Sequence, residues 1–112
     1  MTNTLIDNAI LSELSEAMGA DFAGELIETF LSDAPNMFSA LEKAVADSDA
    51  DGYRRAAHSI KSNAQVFGAT VLCDQARDME LAQLSAESAA SVMTLQATYD
   101  QTAAALRSFL DD

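Results

Sequence analysis

Residues 51–67 read DGYRRAAHSIKSNAQVF, and the two sides of this stretch differ in kind. With about 100° per residue and His58 as the origin, Asp51, Arg54, Arg55, Lys61, Ser62 and Gln65 fall within roughly 60° of the histidine. All six are polar. Tyr53, Ala56, Ala57, Ile60, Ala64 and Phe67 fall on the far side, roughly 160–260° round. A helix with one apolar face needs other elements to cover it. His58 projects from the centre of the opposite, solvated face.

The covering elements read as further helices on both sides. Gly68 permits a tight turn, and a helix over 69–84 carries Val71, Leu72, Ala76, Met79 and Ala82 inward. After a break at 85–88, a last helix over 89–110 aligns Val92, Met93, Tyr99, Ala103, Leu106, Phe109 and Leu110. Upstream, the acidic turn before His58's own helix (51–67) favours a helix start, because carboxylates suit the positive end of the helix dipole. The stripe Phe22, Leu26, Ile27, Phe30, Leu31, Ala34, Met37, Phe38, Leu41, Ala44 and Val45 predicts a helix over 22–46. Pro35 within it predicts a kink or short break, since proline lacks the donor and crowds the preceding turn. A first helix over 5–18 has Ile6, Ala9, Ile10, Leu14, Ala17 and Met18 at helical spacing, with Gly19 as its stop and Asp21 as the next N-cap. Long amphipathic helices joined by short loops pack as a bundle. The expectation is an all-α domain over 1–112, an antiparallel four-helix bundle with a short N-terminal capping helix.

Charge excludes several functions. The 112 residues hold 18 acids against 6 Lys and Arg, a formal net charge of -12. Sequence-independent nucleic-acid binding needs clustered cations on phosphates, and a membrane-surface helix needs a basic face. No run approaches the roughly 18 apolar residues of a membrane span, and the N-terminus is unlike a signal peptide. One cysteine, Cys73, forms no internal disulfide, which points to a reducing cytoplasm. A monomer without nucleic-acid or membrane partners is expected. The initiating methionine and complete set of helices point to a free-standing protein. The five methionines mostly fall at apolar positions and read as packing residues.

The cations are unevenly placed. Arg54, Arg55, Lys61 and Arg77 lie between positions 51 and 80, where four acids balance them, so the other 82 residues carry the whole net charge. Lys61 is one helical turn from His58 and on its face; Ser62 is small and leaves the ring accessible. An exposed imidazole alone is an ordinary surface histidine, and exposed cations alone are solvated side chains worth little energetically. Their concentration around the single histidine suits a transient phosphoryl group instead. Glu80 lies twelve residues past Gly68 and His58 ten before it. On straight antiparallel helices they stand ~18 Å and ~15 Å from the turn, nearly level. Glu80 is then either a surface acid or the acceptor for the imidazole Nδ1–H, leaving Nε2 as nucleophile.

The stretch His58-Ser59-Ile60-Lys61-Ser62-Asn63-Ala64-Gln65-Val66-Phe67-Gly68-Ala69 resembles the signature of histidine-containing phosphotransfer (Hpt) domains: a histidine, a lysine three on, small residues, and Gly-Ala closing the helix. Leu26-Ile27-Glu28-Thr29-Phe30-Leu31-Ser32-Asp33-Ala34-Pro35 resembles the family's second helix, and Tyr53-Arg54-Arg55-Ala56-Ala57-His58 its lead into the histidine. The resemblance implies that His58 is phosphorylated, that Lys61 is the phosphate-side cation, and that Glu80 is the acceptor orienting the imidazole. Ser62 departs from a common glycine and Ala64 from a common serine.

The implied activity is reversible phosphoryl transfer between His58 and aspartates on receiver domains of response regulators or of a hybrid sensor histidine kinase. Docking is expected on Arg54, Arg55, Ser62 and Gln65, with Asp51 at the edge. No cofactor is expected on this chain, the Mg²⁺ belonging to the receiver, because positioning and charge neutralisation dominate phosphoryl transfer. The chain lacks a nucleotide-binding glycine-rich loop, so a phosphocarrier rather than a kinase is expected. Three alternatives compete. A histidine-kinase dimerisation hairpin usually has an acid directly after its histidine, where Ser59 stands. A carboxylate-bridged metal bundle needs two Glu-x-x-His pairs, and the chain has one histidine. A helical adaptor with His58 incidental is the remaining one.

Overall fold

Asp49 starts the helix that bears His58: its side chain accepts from the Gly52 amide at 2.9 Å, filling one of the orphan donors of the first turn. The computed structural model describes residues 5–111, in which every regular element is helical. The helices are α1 (Asn8–Met18), α2 (Ala20–Ala46), α3 (Ala50–Val66), α4 (Thr70–Leu81) and α5 (Ser88–Asp111). They form a helical bundle. α2 packs on α3, α3 most closely on α4, α4 on α5 and α5 back on α2, while α1 rests on α2 and α3.

The core is the apolar face of each helix. Ile27, Phe30 and Leu41 from α2, Ile60 from α3, Leu72 from α4 and Leu95 and Leu106 from α5 are all fully buried. Phe30 stacks at 5.5 Å on Phe67 and meets Tyr99 edge-on at 5.8 Å, tying α2 to the end of α3 and to α5. Thr102, also buried, turns its hydroxyl back on the Thr98 carbonyl at 2.8 Å, so no polar atom of it is stranded.

The turn between α3 and α4 fixes their relation. Gly68 has φ +69°, in the left-handed region where a side chain is disfavoured. Its carbonyl accepts from the Asp7 amide at 2.7 Å, which stitches the start of α1 onto the turn. Leu11 anchors α1 in the core, with Ile6 just ahead of it.

Several local expectations are revised. α2 begins at Ala20 with Gly19 as its cap, so Asp21 lies in the first turn and does not cap the helix. Of the kink or short break expected at Pro35, the break does not form: α2 continues through the residue, which is exposed, so the ring lies on the solvent side. α4 ends at Leu81, short of 84, although Ala82, Gln83 and Leu84 all favour helix. The chain turns there to reach α5, and the Ser85 amide donates to the Ser88 hydroxyl at 2.9 Å to close the loop. Met93 is 73% exposed, and Ile10, Met18 and Phe22 also face out, whereas Leu11 is buried. Of the helices, α2 and α3 are the ones α1 packs on, and Leu11 is its buried residue, so one narrow edge of it is covered. Met1 lies outside the described residues.

Candidate functional site

Burial of Tyr53, Ala56, Ala57, Ile60 and Ala64 turns the other side of α3 to solvent, and the His58 side chain is 55% exposed. On α4, Leu72, Ala76 and Met79 are buried, which brings the next residue, Glu80, to the seam with α3. Ala57, Ala64 and Ala76 are fully buried, and their single methyls let α3 and α4 approach closely.

Across that seam, His58 Nδ1 lies 2.6 Å from Glu80 Oε2. A carboxylate can only accept, so in the neutral imidazole the proton sits on Nδ1 and Nε2 carries the lone pair. Lys61 Nζ lies 2.7 Å from the other oxygen, Oε1, so one carboxylate serves both groups. Glu80 is only 17% exposed and Lys61 24%. The Lys61 ammonium against Oε1, reinforced by His58, holds the Glu80 carboxyl below its ordinary value of 4.5 against the opposing effect of desolvation. The carboxylate is therefore ionised near neutral pH. At the far side of the ring, the Ser62 hydroxyl stands 3.5 Å from Nε2.

The structure thus gathers His58, Lys61, Glu80 and Ser62 at one point. Arg54 and Arg55 both pair with Asp51, Arg55 through Nε at 3.1 Å, and Gln65 is exposed further along the same face. Sequence reasoning put Lys61 beside the phosphoryl position and missed its bond to Glu80. The signal was present: Lys61 lies one turn from His58 on the same face, so an acid level with one is within reach of the other. It also missed Asp51 as a shared counter-ion, although spacings of three and four residues to the arginines announce it. A groove containing Asp51, Arg54, Glu80 and Gln83 runs beside the site, with Leu81 76% exposed on its wall. Among the described residues, no group of His, Cys, Asp and Glu is arranged to hold a metal ion, and no helix is long and apolar enough to cross a membrane.

The sequence profile of the Hpt domain matches residues 25–109. The chain belongs to the Hpt domain family. It functions in phosphotransfer within a phosphorelay, and Hpt domains are phosphocarriers rather than kinases, working with receiver domains of response regulators and with kinases. The fold is similar to that in the crystal structure of histidine-containing phosphotransfer protein B (HptB) from Pseudomonas aeruginosa PAO1, with a TM-score of 0.83 at 23% identity. That match covers 98% of this Hpt chain and 97% of the other. None of the curated protein sequences matches the chain.

Proposed function

We propose that His58 is the residue that carries the phosphoryl group, with Nε2 as the nucleophile. The observation that carries this reading is the Nδ1–Glu80 hydrogen bond on an imidazole whose other edge is open to solvent. Nε2 attacks the phosphorus of an aspartyl phosphate on a receiver domain. The N–P bond forms, the P–O bond to the aspartate breaks, and the aspartate leaves as a carboxylate. The imidazole becomes cationic as it attacks, and the anionic Glu80 at Nδ1 stabilises that charge while holding the ring's tautomer and orientation. Lys61 brings a positive charge one turn away, which offsets the charge of the arriving phosphoryl group. The receiver supplies its acidic pocket and Mg²⁺.

The receiver docks on the outward face of α3, on Arg54, Arg55, Ser62 and Gln65. The protein is a monomeric, cytoplasmic, single domain over 1–112, with α2–α5 as an antiparallel four-helix bundle and α1 as its cap. The closed order of helix contacts supports that arrangement.

Incubation with a phosphorylated receiver tests the assignment. Wild type should take up acid-labile, base-stable phosphate, and His58→Gln should take up none. Label persisting in His58→Gln moves the site elsewhere. Label on neither protein with several receivers favours a helical adaptor.

A further inference from the structure

A polar side chain in a helix commonly turns back on the carbonyl four residues earlier. Asn63 does so, donating to the Ser59 carbonyl at 2.8 Å, and so does Thr102. Ser62, beside Asn63, instead presents its hydroxyl to the imidazole edge at Nε2. The cation nearby is engaged elsewhere, because Lys61 is bound to Glu80 on the Nδ1 side of the ring. Among the described residues, the donor at the nucleophilic nitrogen is a neutral hydroxyl on the same helix.

We propose that the Ser62 hydroxyl donates a hydrogen bond to an oxygen of the phosphoryl group carried on His58 Nε2, and so sets how firmly the protein retains it. The proposal rests on the assignment of His58 as the phosphorylated residue. In the free protein the 3.5 Å contact is longer than the usual hydroxyl bond of about 2.7–2.8 Å, so it is weak and easily given up. Once Nε2 is bonded to phosphorus its lone pair is gone, and the hydroxyl proton needs a new acceptor. The anionic oxygens of a group on that nitrogen lie beside it, and charge-assisted hydroxyl bonds close to about 2.5–2.7 Å. Nothing is transferred to or from Ser62, which keeps its proton throughout. Departure of the phosphoryl group to a receiver or to water breaks this bond, so the hydroxyl favours the loaded state. Solvent at the half-exposed ring keeps the effect modest, about fivefold in the loading equilibrium.

The test uses the full chain with Ser62→Ala, Ser62→Gly and Ser62→Thr, each labelled from a phosphorylated receiver and checked for helicity. Two quantities are read: the labelled fraction at equilibrium with the receiver, and the lifetime of the label after the receiver is removed. Ser62→Ala and Ser62→Gly should both lower the loading ratio about fivefold and shorten the lifetime, and Ser62→Thr should restore both. Alanine and glycine variants that retain label as wild type does overturn the proposal. So does faster labelling with an unchanged ratio, which makes the hydroxyl an obstacle to approach only. A threonine variant as poor as alanine overturns it too, because size rather than the hydroxyl then matters. Label lost in His58→Gln alongside a wild-type-like Ser62→Ala defeats this inference alone, whereas label surviving in His58→Gln defeats the phosphorylation assignment and the proposal with it.

Discussion

Replacing Gly68 with alanine should damage the turn that aligns α3 and α4, and the structure allows the size of the effect to be worked out. A Cβ at Gly68 would stand 2.9 Å from the Asp7 carbonyl oxygen and 2.9 Å from Ile10 Cβ. Neither atom lies at the end of a flexible side chain, so relief requires the backbone at the start of α1 to move. The left-handed φ alone costs a residue with a Cβ about 1–2 kcal/mol. Displacing Asp7 also weakens its 2.7 Å hydrogen bond to the Gly68 carbonyl, which adds about 1 kcal/mol. Gly68→Ala is therefore expected to lose about 2–3 kcal/mol, or about 10 °C in Tm for a domain of this size. The loss is capped by outright release of α1 with the residues just ahead of it, where Ile6 and Leu11 contribute roughly 3–6 kcal/mol by burial. Urea denaturation followed by far-ultraviolet circular dichroism measures the change. Gly68→Asn separates the two contributions, because asparagine tolerates the left-handed region but carries the same Cβ. An alanine variant within about 0.5 kcal/mol of wild type, or an asparagine variant as stable as wild type, would refute the reasoning.

Glu80 should leave a signature in acid. Its folded pKa is held below the ordinary 4.5, so its stabilising contribution is present above that value and is lost as pH falls through the folded one. Glu80→Gln should flatten the acid limb of the stability–pH curve, and parallel curves for the two proteins would contradict the pairing. Glu80→Ala should also slow labelling while helicity is kept; an unchanged rate reduces Glu80 to a surface acid. Lys61→Ala should slow transfer more than Lys43→Ala, because Lys61 holds the carboxylate that touches the imidazole whereas Lys43 pairs with Asp47; equal rates remove Lys61 from the site. Leu72 is fully buried, so Leu72→Ala should cost about 3 kcal/mol in urea denaturation. Met93→Ser, on the surface, should stay within about 0.5 kcal/mol, and a large loss there would show that Met93 is packed after all.

The sequence made the helical architecture and the outward His58 legible because both depend on periodicity, and the apolar side of α3 is unbroken from Tyr53 to Phe67. Glu80 was reachable by counting residues from Gly68, since two helices joined by one tight turn leave little freedom in register. What escaped depended on tertiary context. The end of α4 at Leu81 is set by the route to α5, against the local preference of Ala82 to Leu84. Met93, Phe22 and Met18 look like core residues in any one-dimensional stripe, but whether an apolar residue is covered depends on which neighbour lies over that edge. Leu11 shows the converse, since α1 has so narrow a buried edge that one residue's rotation decides whether Ile10 or Leu11 anchors it. The Lys61–Glu80 bond was hidden because the sequence offers the lysine two places to go and only coordinates choose between them.

The Glu80 carboxylate grips the imidazole from a helix other than the one that bears it. The ring is thus suspended at two points, its bond to α3 and its tether to α4, and spinning it round would sever the second. Its aim is set before any visitor arrives, and every visitor meets the same aim. Discrimination among visitors must then reside in the surrounding rim, where side chains can diverge without disturbing the ring.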